Sequence, residues 1–249
     1  MSRYFLEVAY KGTNYSGFQV QQNANSIQQE VEKAFQTLHR EKIVLTGSSR
    51  TDAGVHALQN YFHFDFTSSL DPHFIYKMNA ILPGDIVVNK LIPVSEQAHC
   101  RFDAISREYE YFIYRHKNPF LNNRAFYFPY KLNIELMQEA AHIIKSYTDF
   151  TSFSKRNTQV KTFVCHIMES LWKQEGDCIV FYIKGDRFLR GMVRAVVATI
   201  LKIGREKMTM KEFQHIIEMK DCTGASFAVP ARGLFLMRVN FPGAYFDVD

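Results

Sequence analysis

Cysteine is scarce in this sequence and follows no pattern. Cys100, Cys165, Cys178 and Cys222 are scattered along 249 residues, with no C-x-x-C and no pairing rhythm. That excludes a disulfide framework and makes a reduced, intracellular setting the default. The nine histidines give no H-E-x-x-H and no close Cys/His grouping, so no metal-site signature is present. No apolar run approaches the length that spans a bilayer. The opening MSRYFLEVAYKG carries Arg3, Glu7 and Lys11 where a signal peptide needs its hydrophobic stretch. No low-complexity linker interrupts the chain. A cytoplasmic globular protein is expected.

Strong charge of either sign is also missing. Thirty Lys+Arg against 25 Asp+Glu leave a net +5 and a pI near 8.9. This mild surplus suits a polyanionic partner without demanding one. What is present in quantity is apolar material: 47% of residues are hydrophobic, enough for a sizeable core. The length fits one large domain or two halves.

Hydrophobic periodicity runs through the same series twice. RYFLEVAY (3–10) is strand-like, SIQQEVEKAFQTLHRE (26–41) has helical spacing behind a Ser26 cap, and KIVLTG (42–47) and YFHFDF (61–66) read as strands. PHFIYKMNAIL (72–82) predicts a helix opened by proline, and DIVVNKLIPV (85–94) another strand. The second pass begins with the strand SREYEYFIYR (106–115) and the helix 133–147, capped by Asn133. Strands on either side of KQEGD (173–177), helices over 188–204 and 209–220, and a strand over 233–241 complete it. Two β-α-β-β-α-β arrangements predict an α+β protein of two ferredoxin-like-derived halves. Their mainly antiparallel sheets are expected to join edge to edge and leave a cleft between the halves. The boundary is placed at Asp103-Ala104, giving halves 1–103 and 104–249.

SSRTDAGVHALQN (48–60) holds a carboxylate at a turn between predicted strands. Asp52 is either turn punctuation, bonding its own backbone, or the residue the turn exists to present. Gly54 supplies backbone freedom there. On the predicted helix from Phe188, Arg190 and Arg194 flank a stretch that is apolar on one side and small on the other. Such a helix is covered on both sides, and a buried guanidinium requires a partner. Asp52 is one candidate for it; Glu169 and Asp186 of the second half are others. On 106–115, Tyr109, Tyr111 and Ile113 share one face. An aromatic face stacks a base that has left its helix, and Arg101, Arg107, Lys155, Arg156, Arg187 and Arg190 could hold phosphates.

RTDAGVHA (50–57) matches, without a gap, the signature of the TruA family of tRNA pseudouridine synthases. YKGTNYSGFQVQ (10–21), CRFDAISREYEYFIY (100–114), DFTSF (149–153), FLRGMVR (188–194) and PARGLFLMRV (230–239) resemble its other motifs. Departures are Phe18 where tryptophan is more usual, Cys100 for alanine, and Ser48-Ser49 where glycine or alanine is typical. The resemblance implies two α+β halves around a central basic cleft and a homodimer acting on the tRNA anticodon stem-loop at positions 38–40. It implies catalytic roles for Asp52, the nucleophile, and Arg194, its paired cation. Tyr109 would pack on the target uracil, Arg50 would enter the stem as the uridine flips, and Arg190 would contact substrate. No cofactor is implied. The isomerisation breaks C1′–N1 and makes C1′–C5 with no net redox change, so it requires none. Two other readings are a non-catalytic RNA binder and a hydrolytic nucleosidase. The latter wants a second carboxylate, for which Asp65 and Asp103 are the nearest in sequence.

Overall fold

In the computed structural model, which describes residues 1–67, 70–155, 160–243 and 245–246, the chain divides into two compact units. One is Met1–Ile105 with Leu236–Asp249; the other is Ser106–Phe235. A division at Asp103-Ala104 assigns the whole closing segment to the second half. From Leu236 onward it belongs instead with the first unit. Nine strands and five α-helices form among the described residues, an α+β architecture.

The first unit runs β1 (Ser2–Tyr10), α1 (Ile27–His39), β2 (Thr46–Gly47), β3 (His56–Phe66), α2 (Phe74–Ile81), β4 (Ile86–Val94). Hydrogen bonding orders it β4-β1-β3, with β2 on β3; β9 (Leu234–Asn240) also lies beside β3. The pairs β1–β3, β1–β4 and β2–β3 are antiparallel. One face of the sheet packs on the helices, where Phe35 of α1 meets Phe64, Phe66 and Phe74 edge-on. On the other face, Phe5 is covered by Phe241, Tyr245 and Phe246 from the closing segment. Burial from both sides is why β1 reads as a nearly unbroken apolar run rather than an alternation.

Ser26 caps α1 as expected, its hydroxyl accepting from the Gln29 amide at 3.2 Å. The strand expected over 42–47 shrinks to Thr46–Gly47. Side chains of α1 claim the backbone groups a ladder would use: Gln28 Nε2 donates to Leu45 O at 2.9 Å, and Leu45 N donates to Glu32 Oε1 at 3.1 Å.

The second unit contains β5 (Ser106–Tyr114), β6 (Phe126–Tyr127), α3 (Ile134–Ile143), β7 (Ile167–Glu175), β8 (Cys178–Gly185), α4 (Met192–Gly204) and α5 (Met210–Glu218). Its order is β5-β8-β7, with β6 parallel to β5. Strand β7 runs further into the hairpin than expected, to Glu175, which pairs with Cys178 around Gly176, whose φ is +53°; β8 begins at Cys178 as expected. α4 starts at Met192, not Phe188, because Gly191 sits at φ +74° and ends the approach in a left-handed residue. Arg190 therefore precedes the helix instead of lying one turn from Arg194 along it. Every residue of α4 is buried except half-buried Arg194 and exposed Lys202, so the helix is covered on both sides. Among the described residues no helix is long and apolar enough to cross a membrane.

Candidate active site

The loop that carries Asp52 is held from two directions. Behind it, Asn60 of β3, with no exposed surface, donates to Ser49 O at 2.8 Å and accepts from Ser49 N at 3.3 Å. Asn60 also donates to the Tyr10 hydroxyl at 3.2 Å, leaving that hydroxyl to donate to Thr51 Oγ1 at 2.8 Å. In front, the turn after β1 clamps the loop backbone. Phe18 N donates to Thr51 O at 3.1 Å and Gly54 N to Tyr15 O at 3.3 Å. Gly12 N donates to His56 Nδ1 at 3.1 Å, so close to the loop that a Cβ on Gly12 would lie 1.9 Å from Val55 O. Only glycine fits there. The two motifs 10–21 and 50–57 are thus one structure.

Within this clamp the chain turns from Asp52 to Val55, whose amide donates to Asp52 O at 3.2 Å, with Gly54 at φ +77° in the third position. Thr51 and Val55 are buried, Asp52 is half-buried, and Arg50 is exposed. Backbone bonds and Thr51 anchor the loop, with Asp52 partly accessible and Arg50 at the surface. The Ser48 and Ser49 hydroxyls are buried without a hydrogen-bond partner. This accounts for glycine or alanine being enough there. Phe18 fills its position by stacking on Phe62 at 4.5 Å.

Replacing Asn60 with alanine strands Ser49 N and O and removes one donor from the Tyr10 hydroxyl, which keeps Thr51 Oγ1. Asn60→Ala is expected to cost about 2–4 kcal/mol in urea unfolding, the range for breaking a buried network. A loss below about 0.5 kcal/mol would show that water replaces the bracket at no cost.

In the second unit Tyr109 lies on β5 opposite Ile183, nearly buried, with its ring edge-on to Phe188 at 5.1 Å. Arg194 donates from Nε and Nη2 to Val229 O, at 3.0 and 2.7 Å. Neither candidate within its own half is its partner in these bonds. Glu169 takes Lys184 at 3.5 Å, and Asp186 Oδ1 accepts the His166 and Arg187 amides. The Val229 segment is pinned again where the Tyr111 hydroxyl donates to Pro230 O at 2.8 Å. Burial holds that hydroxyl above its ordinary titration range, although Arg194 and Arg232 pull the other way. Next to Tyr111, Gly233 is in a spot where a Cβ would come within 2.7 Å of the ring.

Four of the basic residues gather around the link from β8 to α4. Arg107 Nη1 donates to Asp186 O at 2.8 Å, beside Arg187, and Lys155 N donates to Arg190 O at 3.1 Å. Arg101 belongs to the first unit, and Arg156 lies outside the described residues. Sequence reasoning missed Asn60, Tyr10 and Val229. Their residue types carry no signal, and their partners are 11 to 50 positions away.

It also missed a cluster at the end of the first unit. His63 Nδ1 lies 3.2 Å from Cys100 Sγ, and the rings of His63 and His99 are 4.5 Å apart. Burial, then the charges of His99 and Arg3, lowers the His63 imidazole to about 4, so it is neutral at pH 7. Among the described residues no group of three or more His, Cys, Asp or Glu could hold a metal ion.

A family model described as tRNA pseudouridine synthase matches residues 7–103 and 147–242. Over the full length of both chains, this one is 45% identical to tRNA pseudouridine synthase A of Parabacteroides distasonis. The chain belongs to the tRNA pseudouridine synthase family. A synthase of the same name from Porphyromonas gingivalis is 44% identical over 99% of this chain and 100% of its own. One from Staphylococcus aureus is 35% identical over 95% of this chain and 90% of its own. Similarity at this level extends through β5, with Tyr109, which the family model's two segments leave out.

Proposed function

We propose that the protein isomerises uridine to pseudouridine at positions 38–40 of the tRNA anticodon stem-loop, with Asp52 as the nucleophile. That it is a pseudouridine synthase acting on tRNA follows from its family. What supports Asp52 within the family is the loop described above: anchors at Ser49, Thr51, Gly54 and His56 bracket a half-buried aspartate held in a tight turn. A turn residue serving only its own backbone needs no such bracket.

The chemistry requires an anionic group at the sugar or the uracil ring while the C1′–N1 bond breaks and C1′–C5 forms. C5 gives up its hydrogen and N1 gains one, so the product is an isomer. Asp52 supplies the anion, and Arg194 is the cation that sustains it in the tRNA-bound enzyme. Tyr109 packs on the uracil, Arg50 takes the place of the flipped uridine in the stem, and Arg190 holds phosphate. The enzyme works as a homodimer, in the cytoplasm where tRNA is used.

Mapping pseudouridine in tRNA from cells with and without the gene tests the reading. Loss at positions 38–40 alone is expected, and an unchanged map would overturn it. Free uracil released when the protein is incubated with tRNA would identify a hydrolase instead.

A further inference from the structure

The turn His99–Asp103 lies between β4 and β5 and contains Arg101, a candidate phosphate ligand, followed by Phe102. Phe102 is 74% exposed and Arg101 is also at the surface. A single exposed phenylalanine is ordinary. This one is unusual in how firmly it is held.

His99 Nδ1 accepts from both the Arg101 and Phe102 amides, at 3.2 and 3.3 Å. His99 N donates to Asp103 Oδ2 at 2.7 Å, and Asp103 N returns to His99 O at 3.0 Å. The Tyr245 hydroxyl donates to the same Asp103 oxygen. The turn is thus closed on itself and latched to the closing segment. Two more rings pack beside Phe102: His99 lies 4.2 Å from it, tilted by 35°, and His63 meets His99 edge-on at 4.5 Å. The Arg101 guanidinium is 5.6 Å from the Phe102 centroid.

The turn is also tied to the root of the Asp52 loop. Cys100 Sγ donates to Thr46 O at 3.2 Å, and Thr46 pairs with His63 across β2 and β3. Gly47 follows, and then the loop itself. An exposed ring pre-ordered in this way loses little entropy when something stacks on it. A cation at the ring selects an occupant that carries both a flat face and negative charge.

We propose that Phe102, with Arg101 beside it, is a stacking platform for an unpaired base of the bound tRNA, a contact separate from the isomerised uridine. The proposal rests on tRNA being the substrate. Base-on-aromatic stacking tolerates any sequence, because every base has a π-face. The platform therefore contributes affinity and position without choosing a nucleotide, and Arg101 reaches the adjoining phosphate.

The test is binding of unmodified tRNA to the full-length protein by fluorescence anisotropy over a salt series, with initial rates alongside. Phe102→Ala is expected to weaken binding about tenfold, and Phe102→Trp to stay within about twofold of wild type. The salt slope should stay the same for both, because no phosphate contact is removed. KM should rise while kcat holds, and the melting temperature should move by less than about 2 °C. Wild-type affinity for Phe102→Ala would overturn the proposal. So would failure of Phe102→Trp to restore binding, or a change of oligomeric state in sedimentation, which would mark the ring as a contact between copies of the chain. Pseudouridine formed by the wild type is scored separately. A wild type that forms none, yet binds tRNA through Phe102, sinks the assigned reaction and leaves the platform standing.

Discussion

Asp52→Asn protein is expected to form no measurable pseudouridine and to fold and bind tRNA much as the wild type does. The amide preserves the shape of the side chain, and the turn bond from Val55 N is to the backbone oxygen of residue 52. The anchors of the loop pass through Ser49, Thr51 and Gly54, which the substitution leaves alone. What disappears is the negative charge and the nucleophilic oxygen. Loss of a nucleophile lowers the rate by at least about a thousandfold. A single-turnover assay with tRNA, next to a melting curve and an affinity measurement, separates chemistry from folding. Near-normal turnover would remove Asp52 from the mechanism.

Arg194→Met is expected to lose activity nearly as completely, but with a structural share that Asp52→Asn lacks. Methionine keeps the apolar stem inside the buried helix while taking away both donors to Val229 O. A buried carbonyl left without donors costs about 1–3 kcal/mol, so the melting temperature should fall. Tyr111, whose hydroxyl also holds this segment at Pro230, limits the damage. The rate per folded molecule measures the catalytic share: single-turnover rates taken well below the melting temperature should fall at least about a hundredfold. Destabilisation with a near-wild-type rate in the folded protein would leave Arg194 with the segment alone. A stable, fully active variant would deny it both tasks.

Local chemistry was legible wherever a residue acts on its own neighbourhood. Ser26 and Asn133 cap the helices their positions suggested, and the alternation of SREYEYFIYR sorts Tyr109, Tyr111 and Ile113 onto one buried face. Failures occurred where a distant group intervened or where one residue's backbone angle overrode the side-chain pattern. Residues 42–45 have strand-forming side chains, but Gln28 and Glu32 occupy the backbone of Leu45 first. The helix from Phe188 has the right periodicity, yet Gly191 adopts an angle that a helix wheel does not display. The candidate site divides in the same way. Asp52 was conspicuous as a carboxylate at a glycine turn, whereas the Asn60–Tyr10–Thr51 bracket involves ordinary residues brought together by sheet register.

The closing strand has a consequence for how the protein is made. The unit that carries Asp52 takes its last piece, Leu236 onward, only after the whole of Ser106–Phe235 has been translated. At roughly 5–20 residues per second, that leaves the edge of β3 unpaired and the Phe5 face bare for on the order of ten seconds. A chain released early, or clipped before its final aromatic residues, never covers that face. Completing the unit that carries Asp52 is thereby made conditional on translation passing Phe246, and a chain that stops short of it leaves the Phe5 face exposed.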